Sequence, residues 1–417
     1  MDRVLSYLNR SELVHVALTC KTWSAVALSL LWSSFTFVRE REFERVFAIM
    51  ARHNTSHPYG SFVKYLDLTH ADREFLVGPN IILLVTSLCP NIESITITFS
   101  HTRTVAPPTP LMLHNNRPVL PPIRRPGTSN PLPPATNRPP SARYNQSLPL
   151  AHFAHNCRNL RSIRLISYSP RSDDSVYEMA KYLRSGSLQK VVFSGCATLQ
   201  SSTLCKLAIT NPQLRHIEIM GNTAVSDNSV ATIADRCGNS LEHLSIGNAH
   251  NLTDMSLRYI ARRCRNIRQI CMFNNPDELS EIAFSDIVRC CTTLQILSLS
   301  NARALGETFF EAVTERIENE LNNINNQIAD PSSGLQSICL GGVRRDIIHS
   351  PAVAKLINLS EAEADQQNSN TTGWDDDDDD DHPPSETNLS RMMENRAVMP
   401  RIATIRGSSI WWQRQQL

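Results

Sequence analysis

Val63-Lys64-Tyr65-Leu66-Asp67-Leu68 places an apolar side chain at Val63, a second three positions on and a third two further. An alternating pair behind a leading apolar residue describes a short strand with one face buried. The spacing returns as Ile92/Ile95/Ile97, Leu160/Ile163/Leu165, Leu188/Val191/Phe193, Leu214/Ile217/Ile219, Leu241/Leu244/Ile246, Ile267/Ile270/Met272, Leu294/Leu297/Leu299 and Leu335/Ile338/Leu340. A pattern held through nine copies is an architectural unit, and its period decides the fold.

From Leu160 onward the first positions lie 28, 26, 27, 26, 27 and then 41 residues apart. That is the period of a leucine-rich repeat, one strand backed by one helix. A single unit cannot cover its own apolar face, so stacking builds the core. The fold class expected is α/β: a leucine-rich-repeat solenoid over 62–343, a horseshoe with a parallel sheet on the concave face and helices on the convex face. The helices are legible as well. Asp254 to Cys264 carries apolar residues at 257, 260, 261 and 264, with Thr253 where an N-cap belongs and Asp254 at the positive end. Ser226-Asp227 and Ser280-Glu281 repeat that device.

Two intervals break the period. Ile92 to Leu160 spans 68 residues, and the surplus, 101–149, holds thirteen of the 24 prolines and six arginines without one Asp, Glu or Lys. Such a stretch cannot supply ladder or helical hydrogen bonds, so a disordered Pro/Arg-rich insert is expected. The second interval, Leu294 to Leu335, lengthens one helix through Glu311 to Ile328, which is expected to project into solvent. After Leu340 the pattern stops, and 344–417 reads as a largely disordered tail with seven consecutive aspartates at 375–381. Its closing Ser409-Ile410-Trp411-Trp412 is apolar enough to cap the open end of the last repeat.

A formal charge of +1 gives no global pull toward nucleic acid or anionic lipid. No run approaches the ~20 apolar residues of a membrane span, and Met1-Asp2-Arg3-Val4 is unlike a secretory signal. A cytoplasmic or nuclear protein with neither membrane nor nucleic-acid partner is expected. Of eleven cysteines, Cys89, Cys157, Cys237, Cys264 and Cys291 fall three or four residues before a strand's first apolar position. That phase marks them as small buried side chains at helix ends, in a reducing compartment. His152 and His155 share a helix face near Cys157, but they too precede a strand in repeat phase, and no zinc spacing occurs. No metal and no cofactor are expected. Gly-rich phosphate loops, nucleophile elbows and HExxH motifs are absent from the sequence, so an enzyme is not expected either.

Residues 1–40 stand apart from the repeats. Val4, Leu5 and Leu8, then Leu13, Val14 and Ala17, then Trp23, Val26 and Leu30 read as short amphipathic helices, with Ser11-Glu12 as a helix start. The run Val4-Leu5-Ser6-Tyr7-Leu8, Ser11-Glu12-Leu13-Val14, Ala17-Leu18-Thr19-Cys20-Lys21-Thr22-Trp23 and Leu31-Trp32 resembles the F-box. The family's motif opens with Leu-Pro and an acidic residue ahead of the place Met1 occupies, so the segment resembles a truncated F-box. An F-box followed by cysteine-containing leucine-rich repeats is similar to F-box/leucine-rich-repeat substrate receptors of Skp–cullin–F-box ubiquitin ligases. The resemblance implies a non-catalytic adaptor that binds a Skp-type protein through Val4, Leu5, Leu8, Leu13, Cys20 and Trp23 and reaches cullin and RING through it. Residues 41–61 are expected to be a linker. The alternative is a leucine-rich scaffold without a ubiquitin connection, whose N-terminal helices only cap the first repeat.

Strand side chains alternate, so the residues flanking each buried pair face the concave side. Among them Arg164, Ile166, Val192, His216, Glu218, Met220, His243, Phe273 and Ile296 form the expected substrate-binding set. Clustered cations and aromatic platforms for nucleic acid are missing, whereas apolar anchors within a polar surround suit a protein partner.

Overall fold

The structure is a computed structural model that describes residues 2–99, 147–359, 404–406 and 409–413, except 38, 53–56, 70–76, 171, 223, 275–278, 301 and 326–333. Within it the repeated strand motif stacks into one parallel ladder. The strands are β1 (Ser34–Thr36), β2 (Tyr65–Leu68), β3 (Ser94–Thr98), β4 (Ser162–Ile166), β5 (Lys190–Ser194), β6 (His216–Met220), β7 (His243–Gly247), β8 (Gln269–Phe273), β9 (Ile296–Leu299) and β10 (Ser337–Leu340), neighbours in space in chain order. The register aligns the motif with itself: Phe35, Leu66, Ile95, Ile163, Val191, Ile217, Leu244, Ile270, Leu297 and Ile338 form one continuous row. From Leu66 onward every member of that row is buried. Each such side chain contributes about 1.5–3 kcal/mol by leaving water, and each is covered by its two neighbours, so the core is linear rather than central.

The N-terminal helices are α1 (Asp2–Leu5), α2 (Arg10–Ala17), α3 (Lys21–Leu31), α4 (Glu40–Met50) and α5 (Tyr59–Phe62). Those between later strands are α6 (Pro79–Leu88), α7 (Ala151–Asn156), α8 (Asp174–Tyr182), α9 (Ser201–Thr210), α10 (Asp227–Cys237), α11 (Asp254–Arg263), α12 (Glu281–Cys290) and α13 (Glu307–Asn325), with α14 (Arg345–Ile348) after β10. Ser226, Thr253 and Ser280 are the N-caps of α10, α11 and α12, and a carboxylate from the preceding helix reinforces two of them. Asp227 accepts from the Thr253 amide at 2.9 Å and its hydroxyl at 2.6 Å, and Asp254 does the same for Ser280 at 2.8 and 2.6 Å. Helix starts are thereby locked from repeat to repeat. At the strand exits a left-handed residue turns the chain: Ser167, Gly195, Gly221, Asn248 and Asn274, with φ from 49° to 71°. Glycine and asparagine tolerate that conformation, which costs other residues about 1–2 kcal/mol.

Four expectations change. The stretch 41–61 is not a linker: α4 and α5 occupy most of it, and β1 pairs in parallel with β2 through Ser34↔Tyr65, Phe35↔Leu66 and Thr36↔Asp67. Trp32/Phe35/Phe37 is a further copy of the motif in aromatic form, and Phe37 packs with Phe43 and Phe47 of α4, ring centroids 5.4 and 6.0 Å away. The solenoid therefore starts inside the segment assigned to the F-box. Second, α2 starts from Asn9 rather than Ser11: Asn9 Oδ1 accepts from the Glu12 amide, and Glu12 accepts from the Asn9 amide, a reciprocal capping box. Third, α13 does not simply project, since Phe309, Phe310, Val313 and Ile317 are buried in the core. Fourth, the tail is partly built. Residues 351–359 are helical with Val353 and Leu356 buried, and β12 (Ser409–Gln413) pairs antiparallel with β10, itself flanked by β11 (Thr404–Arg406). The β10 edge is paired rather than left as a template for other chains. The Pro/Arg-rich insert up to 146 and the aspartate run lie outside the described residues.

Candidate interaction surfaces

Two surfaces carry the expected contacts. The first is the N-terminal unit, whose small core of Leu5, Leu13 and Ala27 is separate from the solenoid core, with Leu8, Val16, Trp23 and Leu30 packed around it. Neighbours in a helix point to different sides, so the apolar pairs Val4-Leu5 and Leu13-Val14 divide, one member in and one out. Leu5 is 2% exposed and Leu13 is also buried, which places them in the unit's own core and not on a contact surface. Leu8 and Trp23 are half-buried, and Cys20 is exposed. The outward apolar residues are Val4, Tyr7, Val14 and Leu18, with Tyr7 89% and Leu18 80% exposed. Three of these four were missed because periodicity reports a stripe, not which side of it meets the unit's own core. The unit is fixed to the solenoid by Trp32 stacked on Tyr59 at 4.4 Å and by Arg10 Nη2 donating to the Ser34 carbonyl at 2.6 Å.

The second surface is the concave sheet. Register sets its side chains in rows: Lys190, His216, His243, Gln269 and Ile296; then Arg164, Val192, Glu218, Ser245 and Cys271; then Ile166, Ser194, Met220, Gly247 and Phe273. Arg164, Ile166, Glu218, Met220, Phe273 and Ile296 keep part of their surface open, as do His216 and His243. Val192 does not. It lies between Arg164 and Glu218 in its row and is 2% exposed, so it offers no contact area; long charged side chains cover apolar neighbours with their stems. Ser245 and Cys271 are buried in the same row. Gly247 also faces the concave side but is outside the expected substrate-binding set: a Cβ there would fall 2.9 Å from Met220 Sδ and 3.6 Å from Phe273 Cβ. Its missing side chain lets Met220 lean across the strand, forming an apolar saddle with Phe273. A glycine inside a strand is the signal that marks such close approach.

At the centre the His216 and His243 rings stack, centroids 3.9 Å apart and planes 4° from parallel. Burial, then His243, Lys190 and Arg164, push the His216 pKa down to about 3. His216 Nε2 lies 3.7 Å from Glu218 Oε2, yet an imidazole so strongly held neutral makes no ion pair there at neutral pH. Nε2 is buried without a hydrogen-bond partner. Burial also lowers His243, against a hydrogen bond with Gln269 that raises it. The neutral pair leaves Lys190, Arg164 and Glu218 as the charges acting on it, two positive and one negative.

The repeat cysteines sit at helix C-termini. Cys89, Cys157, Cys237, Cys264 and Cys291 are buried free thiols, and burial raises the Cys89, Cys157, Cys237 and Cys291 pKa values to about 12. Thiols so far from ionisation are packing groups and not nucleophiles. Among the described residues no helix is long and apolar enough to cross a membrane, and no group of three or more His, Cys, Asp or Glu is placed to hold a metal ion.

A parallel ladder of strand–helix repeats behind a separate helical unit defines a leucine-rich-repeat solenoid with an N-terminal appendage. That appendage has a family: residues 2–38 match the F-box-like family. Among solved structures, a chain from the crystal structure of the yeast Rad7 and Elc1 complex aligns with 10% identity and a TM-score of 0.41, over 61% of this chain and 54% of its own length. The alignment thus spans about half of that chain. No curated protein matches this chain.

Proposed function

We propose that this chain is a substrate-recognition adaptor of a Skp–cullin–F-box ubiquitin ligase. The N-terminal unit binds a Skp-type protein, and cullin and RING follow through that protein. The concave sheet binds a protein substrate around the Met220/Phe273 saddle. The chain is non-catalytic and acts in the cytoplasm or nucleus: tethering raises the effective concentration of substrate lysines near a charged ubiquitin-conjugating enzyme.

The observation that carries this reading is the exposure of four apolar side chains, Val4, Tyr7, Val14 and Leu18, within the stretch that matches the F-box-like family. A mere cap would turn its apolar residues onto the first repeat; these turn away from it. The first repeat has its own aromatic filling in Phe37, Phe43 and Phe47. Exposed apolar side chains of this kind on a small helical unit are what a partner helix buries.

The test is co-purification with a Skp-type adaptor. Tyr7→Asp and Leu18→Asp should each abolish retention while leaving the unfolding temperature unchanged, because both side chains lie outside the core. Undiminished retention in both variants, or no retention by the parent chain, would move the assignment to a scaffold without a ubiquitin connection.

A further inference from the structure

Away from both surfaces, at the C-terminal ends of α7 and α8, a solvent-open cleft of about 360 Å³ separates the two helices. Its floor is Cys157 and Leu183, both buried. Arg158 and Arg184 stand on its two walls, and His155, Tyr182 and Ser187 complete the rim. Both arginines are exposed, and neither makes an ion pair among the described residues. No carboxylate lines the cleft; the nearby Glu178 pairs with Lys181 at 3.5 Å. The His155 and Tyr182 rings meet at 4.6 Å and form an aromatic flank.

The second wall is held in shape. Gly186 adopts φ +76°, its amide donates to the Thr210 carbonyl of the next helix at 3.1 Å, and the Ser187 amide donates to the Arg184 carbonyl at 3.0 Å. Arg184 and Ser187 are thereby presented by a turn anchored to the neighbouring repeat. Two helix C-termini point their partial negative ends here, together worth at most about one elementary charge. Two guanidiniums exceed that, so the cleft is net attractive to an anion and has fork-shaped donors for it.

We propose that this cleft binds a phosphoryl group carried on a protein segment. A phosphomonoester carries nearly two negative charges and three acceptor oxygens, which match two guanidiniums and a hydroxyl. The apolar floor and the aromatic flank suit the carbon part of the modified side chain. A volume of this size admits one side chain and its phosphoryl group, whereas a nucleic-acid backbone needs a longer track of cations. That the segment belongs to a degradation substrate rests on the receptor reading above; the binding itself does not.

The experiment uses the full chain and fluorescence-labelled peptide libraries with a fixed phosphoserine, phosphothreonine or phosphotyrosine, alongside the same libraries unphosphorylated, inorganic phosphate, and single-stranded and duplex oligonucleotides. Selective binding of a phosphorylated library is expected, competed by millimolar phosphate. Arg158→Ala and Arg184→Ala should each weaken it about tenfold, as loss of a charge-assisted bidentate contact does, with Arg262→Ala on α11 as the unaffected control. Equal binding of unphosphorylated peptides, indifference to both arginine variants, binding of inorganic phosphate but of no phosphorylated library, or tighter binding of an oligonucleotide through the same arginines would each overturn the proposal. Adaptor co-purification on the same variants keeps the two readings apart. Phosphopeptide binding without adaptor retention removes the receptor reading and leaves the cleft, and the reverse result removes the cleft alone.

Discussion

Arg316 Nη1 donates to the Cys291 carbonyl at 2.8 Å, so a guanidinium in α13 closes the C-terminus of α12. The same atom reaches the Val288 carbonyl at 2.9 Å, and Nη2 reaches Thr292 and Leu294 at 3.0 and 2.9 Å. Cys237 makes the corresponding connection three repeats earlier, its Sγ 3.8 Å from the Ala208 carbonyl and 3.5 Å from that of Asn211, the cap of α9. Arg316 thus takes the cysteine's role where the repeat lengthens, and Nε donates to Glu320, which in turn accepts from the Leu335 amide at the entrance to β10.

Arg316→Met should therefore do more than remove a surface charge. Arg316 is only 8% exposed, and deleting it strands four carbonyls and takes the guanidinium away from the Glu320 carboxylate, a loss of about 3–5 kcal/mol. Arg316→Lys should recover less than half, since one ammonium cannot span the fork. In a solenoid this loss stays local. Hydrogen exchange in residues 337–340 should accelerate strongly while exchange in β5 and β6 stays near that of the parent.

How much of this was legible depends on what each residue's surroundings add to its type. The strand ladder was readable because Leu, Ile and Val recur at a fixed phase and side-chain alternation leaves no freedom of register. β1 escaped because Trp32, Phe35 and Phe37 carry the same spacing in residues that also fit a helical motif. Arg316 sits in Thr314-Glu315-Arg316-Ile317-Glu318, which reads as a solvated helix face, and only the packing of α13 on α12 brings it onto the α12 carbonyls. On the concave side the facing residues were correctly ordered by alternation, but exposure was not, since Val192 is hidden by neighbours from other repeats. The Arg158/Arg184 cleft gave no signal, because the two arginines follow different helices and line one cleft only after stacking.

The carboxylate links between helix starts can be measured as a coupling. Asp254→Ala removes two bonds to Ser280 and should cost about 1–2 kcal/mol, and Ser280→Ala a similar amount because it also loses the N-cap bond to the Ala283 amide. In the double variant the losses should fall short of additive by at least about 0.5 kcal/mol. Strict additivity in denaturant unfolding would show that the two residues act independently.

Acid should weaken the centre of the concave face. His216 is neutral in the fold down to about pH 3, whereas its unfolded pKa is near 6.5. Between those values the unfolded chain binds the extra proton, so the contribution of His216 to stability is full above pH 6.5 and is lost as the pH falls toward 3. His216→Phe keeps a ring on His243 and removes the titration. Its stability should decline less steeply than the parent's between about pH 6 and pH 4, and parallel curves for the two proteins would assign the acid sensitivity to other groups.

At the alkaline end the buried thiols reverse the sign. Burial holds Cys89, Cys157, Cys237 and Cys291 protonated to about pH 12 and Cys196 to about 11, while in the unfolded chain they ionise near 9. Above pH 9 the folded state holds more protons, so each of these thiols removes stability as the pH rises, by up to about 1.4 kcal/mol per pH unit until its folded pKa is reached. Cys237→Ala should lessen that alkaline slope even though it lowers stability at neutral pH by opening a small cavity. The same burial sets reactivity. In the native protein at pH 8, a thiol-specific reagent should modify the exposed Cys20 and Cys290 within minutes and reach Cys89, Cys157, Cys237 and Cys291 only at the rate of local unfolding. Mass mapping of the labelled sites checks this, and prompt labelling of Cys237 or Cys291 would show that the helix ends are open in solution.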